Sequence, residues 1–136
     1  MKIQREIKFR AWDKKDGEML EVHELYFVEN SNKFGKGILD EHNDFHPLNE
    51  IDLMQFTGLL DKNGKEIYEG DIVSYNQSNT SDENMKLFKL KPDKAEISYC
   101  NENGCFFAMG WLGRGLKNMK NLKIIGNIYQ NPKLLI

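Results

Sequence analysis

The stretch Leu53–Val73, LMQFTGLLDKNGKEIYEGDIV, decides how the rest of the chain is read. Its centre, Asp61-Lys62-Asn63-Gly64-Lys65, is turn chemistry, because Asn-Gly tolerates the left-handed backbone that a tight hairpin requires. Leu53 to Leu60 before it has strand character, and Ile67 to Tyr75 after it completes a hairpin. Gly70-Asp71 interrupts the second strand. That pair predicts a bulge in which Gly70 supplies the unusual backbone and Asp71 accepts hydrogen bonds from nearby amides. The same kind of Gly-Asp-apolar sequence occurs in small SH3-like barrels.

Working toward the N-terminus, Ile7, Phe9 and Ala11 alternate with Lys8, Arg10 and Trp12, which is the two-residue period of a strand with unlike faces. Asp13 to Gly17 (DKKDG) closes a hairpin, and Met19 to Val28 is the returning strand. Asn30 to Gly37 reads as a polar loop, and Pro47 argues against one long helix through His42–Glu50. Toward the C-terminus, Asn76–Asn84 (NQSNTSDEN) has almost nothing to bury and is expected to be a mobile loop. Ala95–Cys100 and Cys105–Leu112 are strands joined by Asn101–Gly104, and Leu122–Gln130 is a final strand stopped near Pro132. Met85–Leu90 reads as a helical turn or a short strand and Gly113–Asn121 as one helical turn, so one or two short helices are expected. The expected fold is mainly β, an antiparallel sheet closing into a small SH3-like barrel-type body. One domain spans 1–136, with an N-terminal hairpin over 1–30 and the barrel-like body over 53–136.

Composition narrows the functions. The 136 residues are 40% hydrophobic and carry a net charge of −2, so no general attraction to nucleic acid or anionic membrane is expected. The distribution is uneven. Residues 1–16 hold six Lys or Arg against three Asp or Glu, and 105–136 hold five basic residues with no acidic one, around a strongly acidic middle. No apolar run approaches the ~18 residues of a membrane span. The start lacks the apolar core of a signal peptide, and the two cysteines give no disulfide framework, so a cytoplasmic protein is expected.

Candidate chemistry is sparse. Glu69 and Asp71 share a strand face but have no third ligand spaced to join them, so a structural role is favoured. His42 and His46 have helical metal-site spacing, yet Pro47 and the shortage of further ligands make them solvated loop histidines. Cys100 and Cys105 can face each other across a hairpin and, in a reducing cytosol, stay thiols. No catalytic set, cofactor or metal is expected. The C-terminal third combines Arg114, Lys117, Lys120 and Lys123 with Phe106, Phe107, Trp111 and Tyr129, a mixture that single-strand nucleic-acid binders use. Those aromatics are also needed for a core, so the structural role is preferred. Arg10 and Trp12, on one face of the first strand, are candidate partner contacts.

Three segments together resemble the YopX family of phage and prophage proteins: IKFRAWD (Ile7–Asp13), the Leu53–Val73 stretch, and IIGNIYQNPKLL (Ile124–Leu135). They occur in the family's order across nearly the whole chain. The resemblance implies a phage-derived, mainly β, oligomeric protein within the host bacterial cell. It implies no activity and carries over no catalytic or binding residues. The expectation is therefore a non-enzymatic accessory protein acting through protein contacts as a homo-oligomer, with nucleic-acid binding through the basic C-terminal third as the alternative.

Overall fold

Ten strands and two single 3-10 turns account for the regular structure of the described residues, which in this computed structural model are 6–28, 35–75, 94–109 and 122–136. The strands are β1 (Phe9–Asp13), β2 (Glu18–Tyr26), β3 (Gly37–Asp40), β4 (Phe45–Pro47) and β5 (Ile51–Leu60), then β6 (Glu66–Tyr68), β7 (Asp71–Ser74), β8 (Lys94–Cys100), β9 (Cys105–Met109) and β10 (Lys123–Asn127). The 3-10 turns cover Leu48–Glu50 and Pro132–Leu135. By its contacts the chain forms two compact units, Met1–Phe56 and Thr57–Ile136, whose boundary falls inside β5.

In the first unit the strand order is β4-β3-β2-β1-β5. The DKKDG turn closes β1 onto β2, pairing Asp13 with Glu18 and Ala11 with Leu20. On its other side β1 pairs antiparallel with β5, so that Ala11 also faces Leu53 and Asp13 faces Ile51. Cross-strand partners share a sheet face, and this register gathers Ala11, Leu20, Ile38 and Ile51 into one buried cluster, with Val22, Leu25, Leu48 and Leu53 packed around it. Arg10 and Trp12 lie on the opposite face and are half-buried.

Strands β3 and β4 approach each other closely at Gly37, which sits opposite Pro47. A Cβ at residue 37 would collide with the His46 carbonyl oxygen and lie 2.6 Å from the Phe45 ring. Gly37→Ala is therefore expected to destabilise the protein by about 2 kcal/mol, the typical cost of overpacking a site that has no free volume. Urea unfolding of the variant measures it; a loss smaller than about 0.5 kcal/mol would mean that β4 moves aside at little cost.

In the second unit the Asp61–Lys65 turn carries the C-terminal part of β5 into its sheet neighbour β6, and a four-stranded sheet has the order β10-β7-β8-β9. Ile67, Val73, Ala95, Ile97, Ala108 and Leu122 are its buried core. The expected interruption lies between β6 and β7. Gly70 there has φ +82°, a backbone conformation favouring glycine, and its amide donates to the Ile97 carbonyl while its own carbonyl accepts from the Ile128 amide. Every strand pairing resolved by register is antiparallel, as expected, and the strand orders among the described residues are linear, with no closed barrel. His42–Glu50 holds a short strand and one 3-10 turn, in keeping with the helix-breaking effect of Pro47. The loop at 76–84, the helical turn or short strand at Met85–Leu90 and the helical turn at Gly113–Asn121 lie outside the described residues.

Candidate functional site

Polar groups buried in the described residues are few: Asp13, Asp40, Asp61, Asp71 and Asn127. All five stand at strand ends or turns, and their hydrogen bonds show what they do. Asp13 Oδ1 accepts from the amides of Lys15 (2.9 Å) and Asp16 (3.2 Å), shaping the first turn. Asp40 Oδ1 accepts from the amides of His42 (2.8 Å) and Asp44 (3.0 Å) in the turn between β3 and β4. Asn127 Oδ1 accepts from Tyr129 and Gln130 after β10. Asp71 Oδ2 accepts from the Tyr68 amide at 2.8 Å, the local role expected of it, while Glu69 is half-buried beside it. Short side chains that bond backbone one to four residues away replace the ladder bonds a chain loses where it reverses.

Three of these aspartates reach further. Asp61 Oδ1 accepts from Asn63 (2.8 Å) and Lys65 (2.9 Å), and Oδ2 accepts from the Ile124 amide at 3.1 Å, so one carboxylate fastens the DKNGK turn to β10. The Lys62 amide adds a second tie by donating to the Leu122 carbonyl at 2.8 Å. Burial pushes the Asp61 carboxyl up, but the three amides and the nearby Lys65 charge outweigh it and hold the group below its usual value.

Asp40, His46 and Asp13 come together in the first unit. His46 Nε2 lies 2.8 Å from Asp40 Oδ2, and Nδ1 lies 3.7 Å from Asp13 Oδ2. The imidazole is 17% exposed and both carboxylate side chains are 5% exposed. This corrects the expectation that His46 is a solvated loop histidine. Strand β4 pairs Ile38 with His46 across from β3, which turns the ring inward, whereas His42 stays exposed as expected. For Asp40, burial again raises the carboxyl, and the hydrogen bonds from His46 and from the Asp44 and His42 amides more than offset it, leaving it below the usual carboxylate value. A general base needs a ring nitrogen offered to a substrate. Here Nε2 is hydrogen-bonded to Asp40 and Nδ1 faces Asp13 at the longer distance, so the three side chains link β1, β3 and β4.

The first turn also brings one carboxylate oxygen each of Asp13, Asp16 and Glu18 to within 4.8 Å of one another. Asp16 and Glu18 are exposed, and Asp13 is already engaged by its turn amides. Of the basic residues singled out as nucleic-acid contacts, Lys123 is exposed on β10 opposite Ser74, while Arg114, Lys117 and Lys120, with Trp111, lie outside the described residues. Phe106 packs against the second core, meeting Tyr99 edge-on at 5.2 Å, in line with the structural reading of that aromatic. Sequence reasoning missed the Asp40–His46–Asp13 tie. An aspartate preceding a tight turn with a histidine six residues later is visible in the sequence, but the third partner comes from another hairpin.

A family model described as "YopX protein" matches residues 8–136. The chain belongs to the YopX family. A comparison with curated proteins found no match. Among solved structures, this YopX-family chain is similar to one described as the crystal structure of protein EF1440 from Enterococcus faecalis, with 28% sequence identity and a TM-score of 0.67. The likeness covers 98% of this chain and 100% of that one. The three segments that carry the YopX resemblance coincide with β1, with the β5–β6–β7 run, and with β10 and the turn after it. Each holds at least one of the anchoring groups: Asp13 in the first, Asp61 and Asp71 in the second, Asn127 in the third. Among the described residues no helix is long and apolar enough to cross a membrane.

Proposed function

We propose that this YopX-family protein is a non-enzymatic, phage-derived accessory module that works through protein–protein contacts in the host cytoplasm, as an oligomer of its own chain. One observation carries the reading. In the first unit Ile7, Phe27 and Val28 are 65%, 67% and 58% exposed. Ile7 precedes β1, and Phe27-Val28 follow β2. Exposed large apolar side chains are candidate contact points, and a surface that meets its own copy about a two-fold axis covers such side chains on both chains. The involvement of the buried aspartates in turn bonding supports the non-enzymatic part of the reading. Arg10 and Trp12, of residue types that favour interface cores, are further candidate contacts.

Size-exclusion chromatography with light scattering tests the assembly. The expected mass is a multiple of 15.9 kDa at micromolar concentration. Phe27→Asp should weaken association by about tenfold or more, since it places a charge in an apolar contact, with circular dichroism unchanged. A wild-type monomer across the whole micromolar range removes the proposal.

A further inference from the structure

We propose that Cys100 and Cys105 are a reversible oxidation site, closing into an intrachain disulfide when the surrounding thiol pool is oxidised. The two residues are the last rung of the β8–β9 ladder, opposite each other in antiparallel register. Directly opposed residues in such a ladder have Cα atoms about 4.5 or 5.5 Å apart, depending on the rung, and both spacings fall within the roughly 4.4–6.8 Å that disulfides adopt. Opposed residues also share a sheet face, so the two sulfurs leave the hairpin on the same side. Both cysteines are free thiols and half-buried, and the connecting Asn101–Gly104 turn is exposed throughout, which leaves an approach for a small reagent. One rung further in, the edge-on contact of Tyr99 with Phe106 helps hold the register.

The reaction needs an oxidant, and its chemical class is a small-molecule disulfide such as oxidised glutathione. The thiolate of one cysteine attacks a sulfur of that disulfide, forming a mixed disulfide and releasing one small thiolate. The second cysteine loses its proton to solvent and attacks the protein-side sulfur of the mixed disulfide, expelling the other small thiolate. Two protein thiols are oxidised and one small disulfide is reduced to two thiols. The same steps in reverse, with excess small thiol, restore the two cysteine thiols and re-form the small disulfide.

The full chain, first reduced, is incubated with oxidised glutathione and followed by intact-mass and peptide mass spectrometry under non-reducing conditions. The expected product is a chain lighter by two hydrogens and not disulfide-linked to another copy, with Cys100 joined to Cys105 and the bond reversed by dithiothreitol. Mixed disulfide should stay below about one tenth of the protein, because the second thiol is held beside the first. Cys105→Ser, which removes the resolving thiol, should instead trap a stable glutathione adduct on Cys100. Persistent adducts on wild type, disulfide-linked dimers as the main product, or both thiols surviving the oxidant would each overturn the proposal.

Discussion

Asp61→Ala is expected to lower the unfolding free energy by about 3 kcal/mol, a large share of the stability of a typical domain. The carboxylate accepts three backbone amides, and they are unequal. Those of Asn63 and Lys65 belong to exposed turn residues and can be rehydrated once the acceptor is gone, which softens their loss. The Ile124 amide lies in the β10 ladder, where replacement by water is harder, and its orphaning supplies the larger part of the cost. The methyl group of alanine also leaves the Asp61–Lys65 turn without its side-chain anchor. Asp61→Asn keeps one acceptor oxygen in place of two and should lose about half as much. Urea titration at neutral pH reads both variants; an Asp61→Ala midpoint equal to wild type would show that the turn and β10 are held by packing alone.

The second large effect is in the first unit. Asp40→Ala removes the acceptor for His46 Nε2 and for the His42 and Asp44 amides together, and should cost about 2–3 kcal/mol. Its pH dependence separates the charged interaction from simple loss of volume. Asp40 is held below its ordinary value in the folded protein, so the unfolded chain takes up this proton more readily. The stabilisation is complete above the unfolded value, about 3.9, and fades as the pH falls through the lower folded value. The gap between wild type and Asp40→Ala should therefore shrink on acidification below about pH 4. Asp61 shares the same sign and adds to the acid sensitivity of the second unit. A gap that stays constant down to about pH 3 would show that Asp40 acts through its shape and not its charge.

How far the sequence could be read depended on the range of each interaction. The DKNGK and DKKDG turns, the interruption at Gly70-Asp71 and the opposition of Cys100 to Cys105 were legible, because each is decided within a few residues by backbone preference and pairing around one turn; the interruption is a turn between strands of different sheets and not the expected bulge. The IKFRAWD alternation correctly assigned β1 and separated Ala11 from Arg10 and Trp12. His46 was misread. Its neighbours Asp44, Pro47 and Asn49 are those of a surface loop, and nothing local announces that β4 will pair with β3 and turn the imidazole toward Asp13 of another hairpin.

Taken alone, the amino-acid order determined the class of structure: antiparallel strands, where the chain reverses, and membership of the YopX family. Tertiary structure decided which carboxylates matter and to what they are tied. Asp61 and Ile124 are separated by 63 positions, and their bond exists only because a turn and the final strand meet in one unit. Turn propensity is a property of a few adjacent dihedral angles, whereas a buried charge acquires its partners, its shifted acidity and its contribution to stability from groups that distant parts of the chain bring to it.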